Sequence, residues 1–320
     1  MYFMDNVTLR LIYVVTDLIA PLIVGYYLHQ RHIISDTSIN KVITFNVRVI
    51  FTVLAILSFW VLPLSWGLLF VPLFGFLLVL FPGATGYLLF ARHIENYLDR
   101  GAYIASAMLA NLGTLGGVCA FILYNEIGFA YSQIIGTCQN ILLCLVVFPM
   151  AQYCYRKHTN ALAKSSRSIS LREMFLTWNQ ISLVGMAVGF ALNAAGVPRP
   201  AFLGPVFQSL VHISAWIAML PIGFMIDFHE VRRYFRATLS LDFLRYIVTP
   251  VFILTLSYLL IDDPTFSGTL LILSFCPTAI NAVLASRIYH LNVDLAVSSF
   301  VTTTAAYLLL IFPVIFFILR

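Results

Sequence analysis

Ten long apolar segments dominate this sequence, and each is close to the roughly 20 residues that an α-helix needs to cross a bilayer. Only 10% of the 320 residues are charged, whereas soluble domains carry about a quarter. The pattern predicts an all-α integral membrane protein with ten transmembrane helices and no separate soluble domain between them. The approximate bounds of the segments are 8–28, 42–62, 67–91, 103–124, 128–153, 173–195, 202–226, 240–261, 267–289 and 294–319.

Basic residues are concentrated in alternate loops. The loops after the odd-numbered segments carry nearly all the lysines and arginines, and we assign Arg245 to the loop after the seventh segment. The even-numbered loops carry only Arg199. Because cytoplasmic loops are enriched in Lys and Arg, this asymmetry predicts cytoplasmic odd-numbered loops and both termini outside, in the plasma (cell inner) membrane. The net charge of +5 then reflects topology and implies no nucleic-acid partner.

The two halves of the chain match at a constant offset of 164 residues. Under that offset Thr114 aligns with Thr278, and Phe148-Pro149 aligns with Phe312-Pro313. We therefore predict a first five-helix repeat at 1–154, a cytoplasmic linker at 155–171 and a second repeat at 172–320. Because five is an odd number, the second copy enters the membrane from the opposite side. Such inverted repeats bind substrate near the bilayer midplane on interrupted helices.

Two equivalent segments contain helix-breaking and polar residues at membrane depth. Proline removes a backbone donor and disrupts the preceding turn, and glycine weakens a helix. Backbone groups freed in lipid survive only where they are buried in protein or line a cavity. We predict that helices four and nine are interrupted at these segments and that the freed N–H groups and positive dipole ends there suit a carboxylate. The predicted substrate-binding residues are Asn111, Gly113, Thr114, Pro277, Thr278 and Asn281.

Three stretches resemble the auxin efflux carrier family, which includes bacterial malate and malonate permeases. They are PTAINAVLASRIYHLNVDLAVSSFVTTT from Pro277, VGFALNAAGVPRP from Val188 and NLGTLGG from Asn111. In the last of these, Val118 occupies a position where the family often has proline. The resemblance implies ten helices in two repeats, in which helices four and nine unwind and cross. It also implies a mobile bundle that rocks against a scaffold of helices one, two, six and seven. It also implies organic-anion substrates and a homodimer.

Other polar residues in the apolar segments are candidates for lining the cavity or for coupling transport to an ion. Asp17 is an acid in the middle of a segment, and such residues usually face a cavity or a partner; it could couple transport to protons. Two aligned basic residues, Arg48 and His212, could attract an anion. Gln139, Asn140, Thr302 and Thr303 lie at matching positions beside the predicted crossing, although polar residues also hold membrane helices together.

The sequence gives little support for enzyme chemistry, for a metal site or for a cofactor. Its seven histidines are scattered, and it contains neither an HExxH motif nor a phosphate-binding loop. The main interpretation is a secondary transporter of small organic anions such as malate, which acts by alternating access. The alternatives are a sodium- or proton-coupled symporter of the bile-acid type, a lipid-modifying membrane enzyme, and a sensor or binding module.

Overall fold

The computed structural model describes residues 6–64, 66–159, 181–224 and 233–319, and the regular elements within these ranges are helices. Each of the ten predicted apolar segments contains helix. The helices are α1 (6–30), α2 (36–60), α3 (Phe70–Leu89), α4 (Tyr97–Met108), α5 (115–124), α6 (126–159), α7 (Ile181–Ala194), α8 (Leu203–Phe224), α9 (235–260), α10 (Pro264–Ser274), α11 (Ile280–Ile288) and α12 (293–319).

Among the described residues, five stretches of helix are long and apolar enough to cross a membrane. They are Gly67–Leu89, Leu115–Thr159, Leu203–Phe224, Arg236–Leu260 and Val293–Leu319. The second stretch divides into α5 and α6 at Asn125, whose φ of 52° and ψ of −144° are not helical. The prediction of an all-α, multi-pass membrane protein is therefore confirmed. The count of ten transmembrane helices stays a prediction.

The predicted linker at 155–171 begins within a helix, because α6 continues to Thr159. The rest of the linker and the start of the sixth predicted segment, at 160–180, lie outside the described residues. The same holds for the loop around Arg232.

Close helix pairs are built on glycine in two places. A β-carbon on Gly25 of α1 would lie 2.0 Å from the backbone oxygen of Leu220 in α8. A β-carbon on Gly189 of α7 would lie 2.4 Å from the backbone oxygen of Ile56 in α2. Small residues allow such close approach between membrane helices. These contacts join α1 to α8 and α2 to α7, and we call these four helices the paired group.

The remaining helices pack around the short helices α4, α5, α10 and α11. In this group α3 packs on α4, α9 packs on α10, and α12 contacts both α4 and α11. The interior is apolar and aromatic, with Phe74 and Phe266 fully buried edge to face. We call α3 to α6 and α9 to α12 the crossing group, because they surround the place where two helix breaks meet.

Candidate functional site

Two breaks in helical structure meet inside the crossing group. The first, at 109–114, separates α4 from α5, and the second, at 275–279, separates α10 from α11. The backbone N–H of Asn111 donates to the carbonyl of Pro277 at 2.8 Å, and that of Ala279 donates to the carbonyl of Leu109 at 2.9 Å. Ala110 and Thr278 thus form an antiparallel bridge. The two freed backbones satisfy each other, as buried backbone groups in a membrane protein must.

Gln139 of α6 clamps the first break. Its Nε2 donates to the carbonyl of Ala110 at 2.7 Å, and its Oε1 accepts from the N–H of Ala110 at 2.8 Å. Gln133, two turns earlier, donates to the carbonyl of Gly113 at 2.9 Å. The neighbouring Asn140 has an exposed side chain. Of this predicted pair, only Gln139 faces the crossing.

Removing the amide of Gln139 should destabilise the protein. In Gln139→Met, the N–H of Ala110 loses its partner, and each buried group left unsatisfied costs about 1–3 kcal/mol. Equilibrium unfolding in mixed micelles should show this loss in free energy of unfolding, and Asn140→Met should stay within about 0.5 kcal/mol of wild type because its side chain is exposed. Equal stability of the two variants would contradict the clamp.

Thr278 and Thr303 hold the second break. Thr303 Oγ1 accepts from the backbone N–H of Thr278 at 3.0 Å, and Thr278 Oγ1 donates to the carbonyl of Ser106 at 3.1 Å. Both threonines are fully buried. Thr302 bonds back to the carbonyl of Ser298 within its own helix, at 2.8 Å. These threonine hydroxyls therefore satisfy the backbone, and their geometry leaves them little capacity to bind a substrate.

Arg245 also lies at the crossing, although the sequence placed it in a loop. Its side chain is 2% exposed, within the π-helical turn Leu244–Val248 of α9. Its guanidinium donates to the carbonyls of Ser106 and Leu109, both at 2.7 Å, and to Thr278 Oγ1 at 3.3 Å. The loop assignment was wrong because Arg245 falls inside the predicted segment 240–261. A charge inside an apolar run was the signal that could have identified it.

The side chain of Asn111 caps helix α5. Its Oδ1 accepts from the N–H of Leu115 at 3.3 Å and from the hydroxyl of Thr114. Asn111 is 6% exposed. Because the cap uses its side-chain oxygen, its amide nitrogen remains as the donor. The buried Pro277 contributes a carbonyl and, being proline, no donor.

Asn281 and Gly113 are partly exposed positions on either side of the bridge between Ala110 and Thr278. Asn281 is half-buried in the first turn of α11, and within the described part of the chain its side-chain amide has no hydrogen-bond partner. A β-carbon on Gly113 would meet nothing within 4 Å, and Thr114 beside it is half-buried. Two helix N-termini begin at the breaks, α5 at Leu115 and α11 at Ile280. Helix N-termini offer free N–H groups and positive dipole ends that favour anions.

Asp17 pairs with His212 within the paired group. The distance from His212 Nδ1 to Asp17 Oδ2 is 2.5 Å, and Asp17 is 4% exposed. The His212 ring also packs edge to face on Phe121 of α5, with centroids 5.9 Å apart. His212 thus contacts both Asp17 of α1 and Phe121 of the crossing group. Arg48 is exposed on α2, so it does not share the environment of His212.

The sequence reasoning also missed an ion pair between the two groups of helices. Arg199, in the connection between α7 and α8, pairs with Glu126 at the start of α6, with an Nη2 to Oε1 distance of 3.0 Å. Arg199 also donates to the carbonyl of Leu57 at 3.0 Å. Both charged side chains are largely shielded from solvent, at 14% and 16% exposed. The pair joins α2 and the α7–α8 connection to α6.

Comparison with known proteins finds a similarity to a transporter. No protein-family model matches the chain. An uncharacterized transporter of Methanocaldococcus jannaschii is 26% identical to it over 245 residues, which cover 75% of this chain and 76% of the relative. The chain is an α-helical, multi-pass membrane protein that is similar in sequence to a protein named as a transporter.

Proposed function

We propose that this protein is a secondary transporter that moves small organic anions, such as malate, across the plasma (cell inner) membrane by alternating access. The observation that carries the proposal is the hydrogen-bonded meeting of two helix breaks, with two helix N-termini beginning there. Interrupted helices of this kind place N-terminal dipole ends at anionic substrate groups in transporters. The similarity to a protein named as a transporter agrees with this role.

Asn281 is the central substrate contact in this proposal. Its amide donates to one carboxylate oxygen, and the first N–H groups of α11 supply further donors. Gly113 leaves room for the substrate beside the first break. Asn111 contributes through its amide nitrogen alone, while Thr278, Thr303 and Gln139 hold the backbone that positions these groups.

The inverted repeat that accompanies this mechanism is supported by equivalent features in the two halves. The 164-residue offset relates Gly25 to Gly189 and Ile56 to Leu220, so the two glycine contacts map onto each other. The same offset relates the π-helical turn Leu143–Val147 to the turn Tyr307–Ile311. Ten membrane crossings with both termini outside complete this arrangement. Membership of the auxin efflux carrier family and a homodimer belong to the same proposal.

Alternating access then arises from movement of the crossing group against the paired group. The glycine contacts hold α1 to α8 and α2 to α7 without room for a side chain between the backbones, so each pair moves as a unit. The ion pair of Glu126 with Arg199 links the two groups, and it opens when they separate.

Uptake into proteoliposomes tests the function. Purified protein should accumulate radiolabelled carboxylate when it is offered malate, malonate, lactate and citrate separately, and empty liposomes serve as the control. Uptake of none of the four acids would contradict the proposal. Ligand binding without flux would favour the sensor or binding-module interpretation.

Proton coupling through Asp17 gives a further expectation. Asp17 is a buried acid in contact with His212, and proton coupling at this position would link transport to the proton gradient. Uptake by wild type should accelerate when the outer buffer is made more acidic than the lumen, and Asp17→Asn should lose this acceleration. Asp262→Asn, which changes an exposed loop acid, should behave as wild type. A gradient response that persists in Asp17→Asn would exclude the role.

A further inference from the structure

Arg245 is a buried cation held by neutral oxygen atoms. Besides its bonds to Ser106, Leu109 and Thr278, the guanidinium donates to the carbonyl of Ala107 at 3.1 Å and to that of Cys276 at 3.5 Å. Within the described residues it forms no salt bridge. Asp242, the acid one turn earlier on α9, lies outside salt-bridge distance, and its buried Oδ1 has no hydrogen-bond partner among the described residues. A buried charge without a direct ion-pair partner is costly, so the oxygen atoms that bond to Arg245 must stabilise its positive charge, with a longer-range contribution from Asp242.

Those oxygen atoms have the composition of a binding site for a small cation. We call this set the oxygen shell; it comprises the carbonyls of Ser106, Ala107, Leu109 and Cys276 and the hydroxyl of Thr278. Several of its carbonyls lie at the C-terminal end of α4, the negative end of the helix dipole. Hard cations take oxygen ligands of this type. In transporters with interrupted helices, unwound carbonyls and half-helix C-termini coordinate the coupling cation.

We infer that the Arg245 guanidinium is a built-in cation that fills this oxygen shell, so that the transport cycle needs no alkali cation at the crossing. The inference rests on the proposed function and excludes an alkali-cation gradient acting at this shell as its driving force. A tethered charge cannot dissociate, and therefore a sodium gradient cannot drive the cycle through this shell. The 164-residue offset places Phe81 at the position equivalent to Arg245, so the first half lacks a corresponding cation.

Chemical rescue tests the inference. Arg245→Ala removes the guanidinium and leaves the oxygen shell facing a cavity. With choline chloride as the reference salt, the melting temperature of this variant in detergent should rise by several degrees in sodium chloride or in guanidinium chloride. The guanidinium chloride is used at about 10 mM, far below the molar range that unfolds proteins. Wild type should show no such rise. Arg100→Ala is the matched control, because it removes an arginine that donates to the carbonyl of Ile94 at a half-buried site. The melting temperature of this control should be the same in all three salts.

The remaining outcomes decide between a filled cation site and a purely structural arginine. Uptake by wild type in choline buffer should equal that in sodium buffer, whereas uptake by Arg245→Ala should fall at least several-fold and recover with guanidinium. If Arg245→Ala does not fold, Arg245→Lys should retain more uptake than the uncharged Arg245→Met. Sodium-dependent wild-type uptake, no salt effect on Arg245→Ala, or equal activity of the Lys and Met variants would each overturn the inference. Because the melting experiment needs no substrate, it remains decisive even if none of the four acids is transported.

Discussion

Asn281→Ala should reduce carboxylate uptake roughly 10- to 100-fold, because a hydrogen bond to a charged group contributes about 1.5–3 kcal/mol and each 1.4 kcal/mol is a factor of ten. The variant should remain folded, since the Asn281 amide has no hydrogen-bond partner within the described residues. Initial uptake rates in proteoliposomes, normalised to the amount of inserted protein, measure the effect.

Asn140→Ala is the matched control for this experiment. It removes the same amide from an exposed position on α6, and we expect uptake and stability close to those of wild type. Gly113→Leu should behave like Asn281→Ala, because it fills the open space beside the first break without meeting a neighbouring atom at its β-carbon. If both single variants, Asn281→Ala and Gly113→Leu, retained wild-type uptake, the substrate would not bind at the crossing.

Gly25→Ala should have a large effect on folding. The new β-carbon would lie 2.0 Å from the Leu220 carbonyl oxygen and 2.9 Å from its carbon, and backbone atoms cannot turn aside as a side chain can. Overpacking usually costs about 1–3 kcal/mol and occasionally more, and we expect the upper end here because two helices must separate. Yield of monodisperse protein and the free energy of unfolding in mixed micelles are the measurements.

Two further glycine variants make that prediction specific. Gly189→Ala should be destabilised in the same way, since its β-carbon would lie 2.4 Å from the Ile56 carbonyl oxygen. Gly113→Ala should retain wild-type stability, because no atom lies within 4 Å of its new β-carbon. If all three variants unfold alike, close packing is not the reason for glycine at 25 and 189.

The positions of the two helix breaks could be predicted from the sequence, because their causes are local. Pro277 removes a backbone donor, and Gly113 lies among closely spaced glycines, so each disturbs a helix wherever the chain folds. Asn125 similarly marks the boundary between α5 and α6, at the edge predicted from hydropathy. The constant offset between the halves also brought Gln139 and Thr303 to attention, and both contact the breaks.

What the sequence could not provide depends on tertiary contacts. Gln139 and Asn140 are adjacent and both polar, yet only the helix packing decides which one faces Ala110. The partner of Asp17 is His212, on a helix far away in the chain. Asn111 and Asn281 look alike in their motifs, but Asn111 caps α5, whereas the Asn281 amide bonds to no other described residue. Arg245 was missed because a charge near the edge of an apolar segment resembles a loop residue.

The most direct test of the central claim is a structure determined with a transported acid bound. We predict density for the acid at the first turn of α11, with a carboxylate oxygen within hydrogen-bond distance of the Asn281 amide. Density elsewhere, for example in the apolar groove lined by Phe81, Val251 and Phe252 between α3 and α9, with the crossing empty, would contradict the account.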